Sequence, residues 1–252
     1  MVMYSGVPLN NVMYDLKVKE GGGFDASEWF SVKPALKDIN PLINLPYIKD
    51  GDVIVSQTNA CLVYLGRKLG LWGKTLEEQC DCEQLLCEIM DLRNDMTDFA
   101  YKPAVDGGAQ KLISCALGKN GVLQKLELWL EKKVKSAPEG LASVEDSQNS
   151  AGAFLVGNSA TAPDFHLYEM LVQYETVAKL NDLPPFLANY PCLMFFKLAH
   201  EALPNNARYL ASLGKLGTLP FNQKMASFGA SVTAAPWQDG EKYDFHTLTG
   251  IY

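Results

Sequence analysis

Apolar positions follow a two-residue period early in the chain and a helical period later. Asn11–Val18 (NVMYDLKV) alternates roughly as a half-buried strand does, and Gly21-Gly22-Gly23 ends it. Leu45-Pro46-Tyr47-Ile48 then runs through Lys49-Asp50-Gly51-Asp52 into Val53-Ile54-Val55. This is strand, Asp-Gly turn, strand, and it predicts a β-hairpin. Ser56-Gln57-Thr58-Asn59 precedes the periodic run Ala60–Leu65, which marks a helix N-terminus. Gly70 and Gly73 break that pattern, so a linker is expected at about residues 67–76.

From there to about residue 212 the pattern reads as helices. Thr75–Tyr101 is one long candidate, with Glu77 and Glu78 where the helix dipole favours acids. Gln110–Val134 is another, broken at Gly118 and Gly121. Ala137–Ala151 is small and polar and reads as a surface loop. At Thr161–Asp164, Thr161 can cap, Pro163 fits a first turn, and the Asp164 side chain can reach back to the cap. Helices are expected near Cys192–Leu203 and Ala207–Leu213, followed by an irregular tail. A mixed α/β third before an all-helical remainder implies two unlike domains.

Composition narrows the function classes. A formal charge of -7, with no Lys/Arg stripe, argues against nucleic acid and against an anionic membrane surface as partners. No apolar run approaches the ~20 residues of a membrane span, and residues 1–20 lack a secretory signal. Six cysteines are too sparse for a disulfide scaffold, so a reducing, cytoplasmic setting is expected. Cys80, Cys82 and Cys87 lack a standard zinc spacing and His166, His200 and His246 lie far off, so they read as ordinary helix cysteines and no metal is expected.

Several motifs occur in an order that carries a resemblance. Ser27-Glu28-Trp29 with Lys33 resembles a loop after a second strand. Asn44-Leu45-Pro46-Tyr47, Val55–Ala60, Met90-Asp91, Ala100-Tyr101-Lys102-Pro103, Gly157–Phe165 and Leu219–Ala226 follow it. Together, over roughly residues 3–225, they resemble the glutathione S-transferases, and most of all the mu class. The resemblance implies a thioredoxin-like glutathione-binding domain (1–67), an all-helical C-terminal domain (76–213) and an extension (214–252). It implies glutathione as substrate with no metal, conjugation of its thiol to small electrophiles, and a homodimer.

The residue types suit that ligand. A carboxylate sits well at a helix N-terminus, where unpaired N–H groups and the dipole meet it. The resemblance places the γ-glutamyl carboxylate there, at Gln57 and Thr58. Trp29 and Lys33 offer donors for the glycyl carboxylate, and Asn44 supports that end. Leu45, before a Pro46 that the family holds cis, would pair its backbone with the cysteinyl unit. By the same resemblance Asp91 reaches across a dimer toward the γ-glutamyl ammonium, and Tyr101 lines the electrophile pocket. Singly, each residue also has a plain role in capping, packing or surface charge. The ordered set favours the ligand for Trp29, Lys33, Leu45, Gln57 and Thr58, while both readings stand for Asp91 and Tyr101.

The pattern departs from the family at its start. Met1–Tyr4 resembles the end of the first helix, so the first strand and the tyrosine that stabilises the thiolate have no counterpart. No catalytic residue is assigned: Tyr4 stands at the wrong place, and Tyr14 reads as packing. The bared sheet edge is expected to need cover from a partner protein or a rearranged N-terminus. The alternative function is a non-catalytic subunit or scaffold in a larger assembly. Trp237, Tyr243, Phe245 and Tyr252 make the tail a candidate for docking on a neighbour.

Overall fold

The computed structural model describes residues 1–12, 14, 16–102, 106–135, 152–207, 210 and 243–244. The first half is mixed. A short helix α1 (Val2–Ser5) leads to β1 (Asn10–Asn11), β2 (Lys17–Val18) and β3 (Phe24–Asp25). Helix α2 (Ser27–Ile39), the hairpin β4 (Tyr47–Asp50) and β5 (Val53–Ser56), and helix α3 (Thr58–Lys68) follow. The β4–β5 register pairs Tyr47 with Ser56 and Asp50 with Val53, around the Asp-Gly turn. β2 pairs antiparallel with β3, and β1 with β6 (Tyr243–Asp244).

Two details differ from the sequence reading. Among the described residues of the strand expected over Asn11–Val18, Asn11 and Lys17–Val18 are in strands, within separate pairings. Trp29 and Lys33 stand on a helix and not in a loop. The Asp25 side chain accepts the Ser27 N–H at 2.8 Å, and Glu28 and Lys37 complement the dipole. The side turned from solvent holds Glu28, Trp29, Lys33 and Leu36, of which Trp29 alone is buried, while Phe30, Val32 and Ile39 face solvent. That arrangement, with Pro34 inside the helix, hides the helical period.

The second half is helical: α4 (Leu76–Tyr101), α5 (Gly108–Leu117), α6 (Val122–Lys135), α7 (Ala162–Leu180), a 3-10 turn (Phe186–Asn189) and α8 (Pro191–Ala202). One stripe of α4, comprising Cys82, Leu85, Leu86, Ile89, Leu92, Met96 and Ala100, is buried at helical spacing. It packs on Leu167, Leu171 and Tyr174 of α7 and on Leu126 and Leu130 of α6. Truncating a Leu in such a core to Ala costs about 2–5 kcal/mol.

Capping fixes where these helices begin. Thr75 Oγ1 accepts the Glu78 N–H at 3.2 Å, and the Glu78 carboxylate reaches back to the N–H of Lys74 at 2.7 Å. Gly73 is needed beside it, because a Cβ there would lie 2.3 Å from the Glu78 backbone. At α7, the Asp164 carboxylate accepts the N–H of Thr161 at 2.7 Å, the Thr161 hydroxyl at 2.8 Å and the N–H of Leu155 at 2.7 Å. The two halves meet where Ala162 N–H donates to the Leu71 carbonyl at 2.9 Å. The expected loop at Ala137–Ala151 lies outside the described residues except for its neighbours, as does most of the helix expected at Ala207–Leu213. Among the described residues, no helix is long and apolar enough to cross a membrane.

Candidate functional site

The site is built around the end of β5. Gln57 follows that strand with φ 77° and ψ 130°, a conformation costly for any residue with a Cβ. It turns the chain into α3, whose first backbone bond runs from Cys61 N–H to the Gln57 carbonyl at 2.9 Å. The N–H groups of Thr58, Asn59 and Ala60 are thereby left without intrahelical acceptors. They form a positive terminus beside the exposed Gln57 and half-buried Thr58.

The neighbouring loop is tied to this terminus by Ser56. Its buried hydroxyl donates to the Asn44 carbonyl and accepts the Asn44 N–H, each at 3.0 Å. The loop continues through Leu45 to a cis Leu45–Pro46 peptide and then into β4. Leu45 is 43% exposed, and its main chain forms no hydrogen bond among the described residues, so an extended ligand can lie along it. Beneath the hairpin, the buried Cys61 thiol donates toward the Val55 carbonyl at 3.4 Å. Burial pushes that thiol up, which makes it a floor and not a nucleophile.

Helix α2 closes the other side. The buried Trp29 ring stacks on Tyr47 with centroids 6.0 Å apart, and Tyr14 packs on it at 5.2 Å. Lys33, one turn further on, holds its Nζ 5.5 Å from the Trp29 ring centroid. Trp29, Lys33, Asn44, Leu45, Pro46, Gln57 and Thr58 therefore form one strip of donors and open backbone. Its two positive ends, the Lys33 side and the α3 terminus, suit a ligand with a carboxylate at each end.

Asp91 and Tyr101 stand apart from that strip, on α4. Asn59 Nδ2 donates to the Leu86 carbonyl at 3.2 Å, so the start of α3 rests on α4. Asp91 is exposed five residues beyond Leu86, about 7.5 Å along the helix axis. Tyr101 ends the helix ten residues after Asp91, about 15 Å further, and is 41% exposed. Burial raises its phenol above the ordinary value, opposed by the Arg93 charge, so it is a donor at neutral pH. Ser56, Tyr14 and Tyr47 received no site role from the sequence. Ser56 and Tyr47 do lie inside the quoted motifs, and only their tertiary partners reveal what they hold.

Comparison with known proteins bears on the family. Residues 111–213 match the family model described as "Glutathione S-transferase, C-terminal domain". The chain is 30% identical over 203 residues to glutathione S-transferase Mu 2 of Rattus norvegicus, covering 81% of this chain and 79% of that protein. It is 29% identical over 211 residues to glutathione S-transferase Mu 3 of Homo sapiens, covering 83% and 80%. Glutathione S-transferase Mu 1 of Oryctolagus cuniculus is 30% identical over 189 residues, covering 75% and 73%.

Proposed function

The chain belongs to the glutathione S-transferase family and is mu-like, and from that premise we propose that it binds glutathione along the Trp29–Thr58 strip and conjugates its thiol to small electrophiles. The γ-glutamyl carboxylate meets the α3 terminus at Gln57 and Thr58. The cysteinyl backbone pairs with Leu45, and the glycyl carboxylate meets Trp29 and Lys33, with Asn44 holding the loop between. The observation that carries this reading is the Ser56–Asn44 bond pair, which sets the open Leu45 backbone beside the start of α3. Tyr101 takes the electrophile side.

Residues 1–67 and 76–213 act as the two structural units, with 214–252 as an extension. The chain works as a homodimer in the cytosol. Leu42 is 73% and Ile39 62% exposed on the first half and offer an apolar contact for a second copy, across which Asp91 meets the γ-glutamyl ammonium. Sedimentation of the purified chain tests that state. The six unpaired cysteines fit a reducing compartment.

Calorimetric titration with glutathione is the direct test of the site. Lys33→Ala and Gln57→Ala should each weaken binding by about 1–3 kcal/mol, the range for hydrogen bonds to charged groups. Unchanged affinity in both variants overturns the assignment. Conjugation to a chromogenic aryl halide then separates the two functions. Turnover supports the transferase, and binding without turnover makes the chain a glutathione-binding subunit of a larger assembly.

A further inference from the structure

Tyr14 and Tyr47 both pack on the Trp29 ring, 33 residues apart in sequence, and their hydroxyl oxygens lie 2.7 Å from each other. A phenol carries one proton and accepts through its lone pairs. The pair therefore holds two protons and spends one on the bond between its members. The accepting phenol keeps an O–H directed elsewhere, and among the described residues neither hydroxyl has another partner. Donating one O–H to another also polarises the acceptor and strengthens its own donation.

The surroundings are donors as well. The Trp29 indole packs on both phenol rings, and Lys33 Nζ lies over the indole. The nearest acid on α2, Glu28, lies 3.4 Å from Lys17 Nζ. The Asp50 carboxylate, at the other end of β4, takes the Tyr64 hydroxyl at 2.6 Å and the Lys68 ammonium. A cluster of indole, phenol and ammonium donors fits a carboxylate ligand.

We propose that the Tyr14–Tyr47 phenol pair is a further ligand-binding element of this site, donating its free O–H to the glycyl carboxylate of glutathione alongside Trp29 and Lys33. This rests on the glutathione reading above. The pair acts as a donor and not as a base, because burial, and then the bond to Tyr47, hold the Tyr14 phenol well above its ordinary range.

The test titrates wild type, Tyr14→Phe, Tyr47→Phe and the double variant with glutathione and with γ-glutamylcysteine, which lacks the glycyl carboxylate. Phenylalanine keeps the ring stacking, and thermal melts check that each variant is folded. The expected result is a loss of about tenfold in glutathione affinity for the phenol that donates outward, with γ-glutamylcysteine affinity unchanged. An equal loss for both ligands means that the pair only braces Trp29, and it overturns the proposal while leaving the glutathione site standing. No loss for either ligand overturns it too. Wild type binding neither ligand overturns the glutathione reading itself, and the proposal with it.

Discussion

The carboxylate of Glu127 on α6 accepts the backbone N–H of Leu193 at 2.8 Å, across 66 residues of sequence, and also that of Cys192 at 2.9 Å. It is 3% exposed, so a side chain from one helix serves as the N-terminal cap of another inside the core. The charge also meets the positive end of the α8 dipole. Glu127→Leu keeps the bulk but leaves two buried N–H groups without acceptors, each costing about 1–3 kcal/mol. Urea unfolding should show a loss of about 2–5 kcal/mol. Glu127→Gln, which keeps one acceptor, should lose less. Equal losses would mean that the charge, and not the acceptor count, does the capping.

His166 sets an acid limit on stability. It is 5% exposed on α7, and among the described residues neither ring nitrogen has a partner. Burial pushes the imidazole down to about 4, with the Arg93 charge adding to the effect. An unfolded histidine titrates near 6.5. The unfolded chain therefore takes up the proton first, and the stability due to this group is full above about pH 6.5 and lost as pH falls toward 4. The loss at the acid end is about 3 kcal/mol. His166→Leu removes both the titration and an unpartnered buried polar group. It should raise stability by about 1–2 kcal/mol at pH 7. It should also flatten the stability–pH curve between pH 4 and 6.5, read by denaturant titration across that range. A slope equal to that of wild type would assign the acid limit to other groups. His200 is one such group, held down to about 3 by burial.

Local chemistry made much of the fold legible. The Asp50-Gly51 turn, the start of α4 after Thr75 and the Thr161–Asp164 cap all depend on residues within four positions of one another. Helix α2 escaped because its half-buried side includes a lysine while its phenylalanine faces out. Periodicity reads hydrophobicity and not contact, so Lys33 folded over Trp29 looks polar to it. The site divided in the same way. Residues in contiguous motifs, such as Leu45-Pro46 and Gln57-Thr58, could be proposed from the chain alone. The bonds that orient them, Ser56 to Asn44 and Tyr14 to Tyr47, join segments distant in sequence and left no periodic trace.

Ser56 is the hinge between those segments. Its hydroxyl both donates to and accepts from Asn44 and is almost fully buried. Ser56→Ala removes both bonds and leaves the part-buried Asn44 N–H without that acceptor. Stability should fall by about 1–2 kcal/mol in thermal or urea unfolding. The open Leu45 backbone would also lose its fixed position beside α3, so glutathione affinity should fall although Ser56 touches no ligand group in the assigned mode. A variant that loses stability but keeps full affinity would show that the loop is held by the hairpin alone.

Gln57 gives the most discriminating variant, because its backbone and its side chain make opposite demands. At φ 77° and ψ 130° its Cβ is crowded, a strain of about 1–3 kcal/mol that glycine does not feel. The side chain is exposed and adds little to the core. Gln57→Gly should therefore raise stability, by about 1 kcal/mol after the entropy that glycine adds to the unfolded chain. Gln57→Ala keeps the Cβ and should leave stability nearly unchanged. Both remove the amide assigned to the γ-glutamyl carboxylate, so both should weaken glutathione binding. Paired melting and calorimetry on the two variants separate the demands. Stabilisation by glycine with lost affinity means the strained turn is kept for the ligand. Retained affinity in both would leave the turn strained for a reason other than that amide and would move the carboxylate contact to the backbone N–H groups of α3.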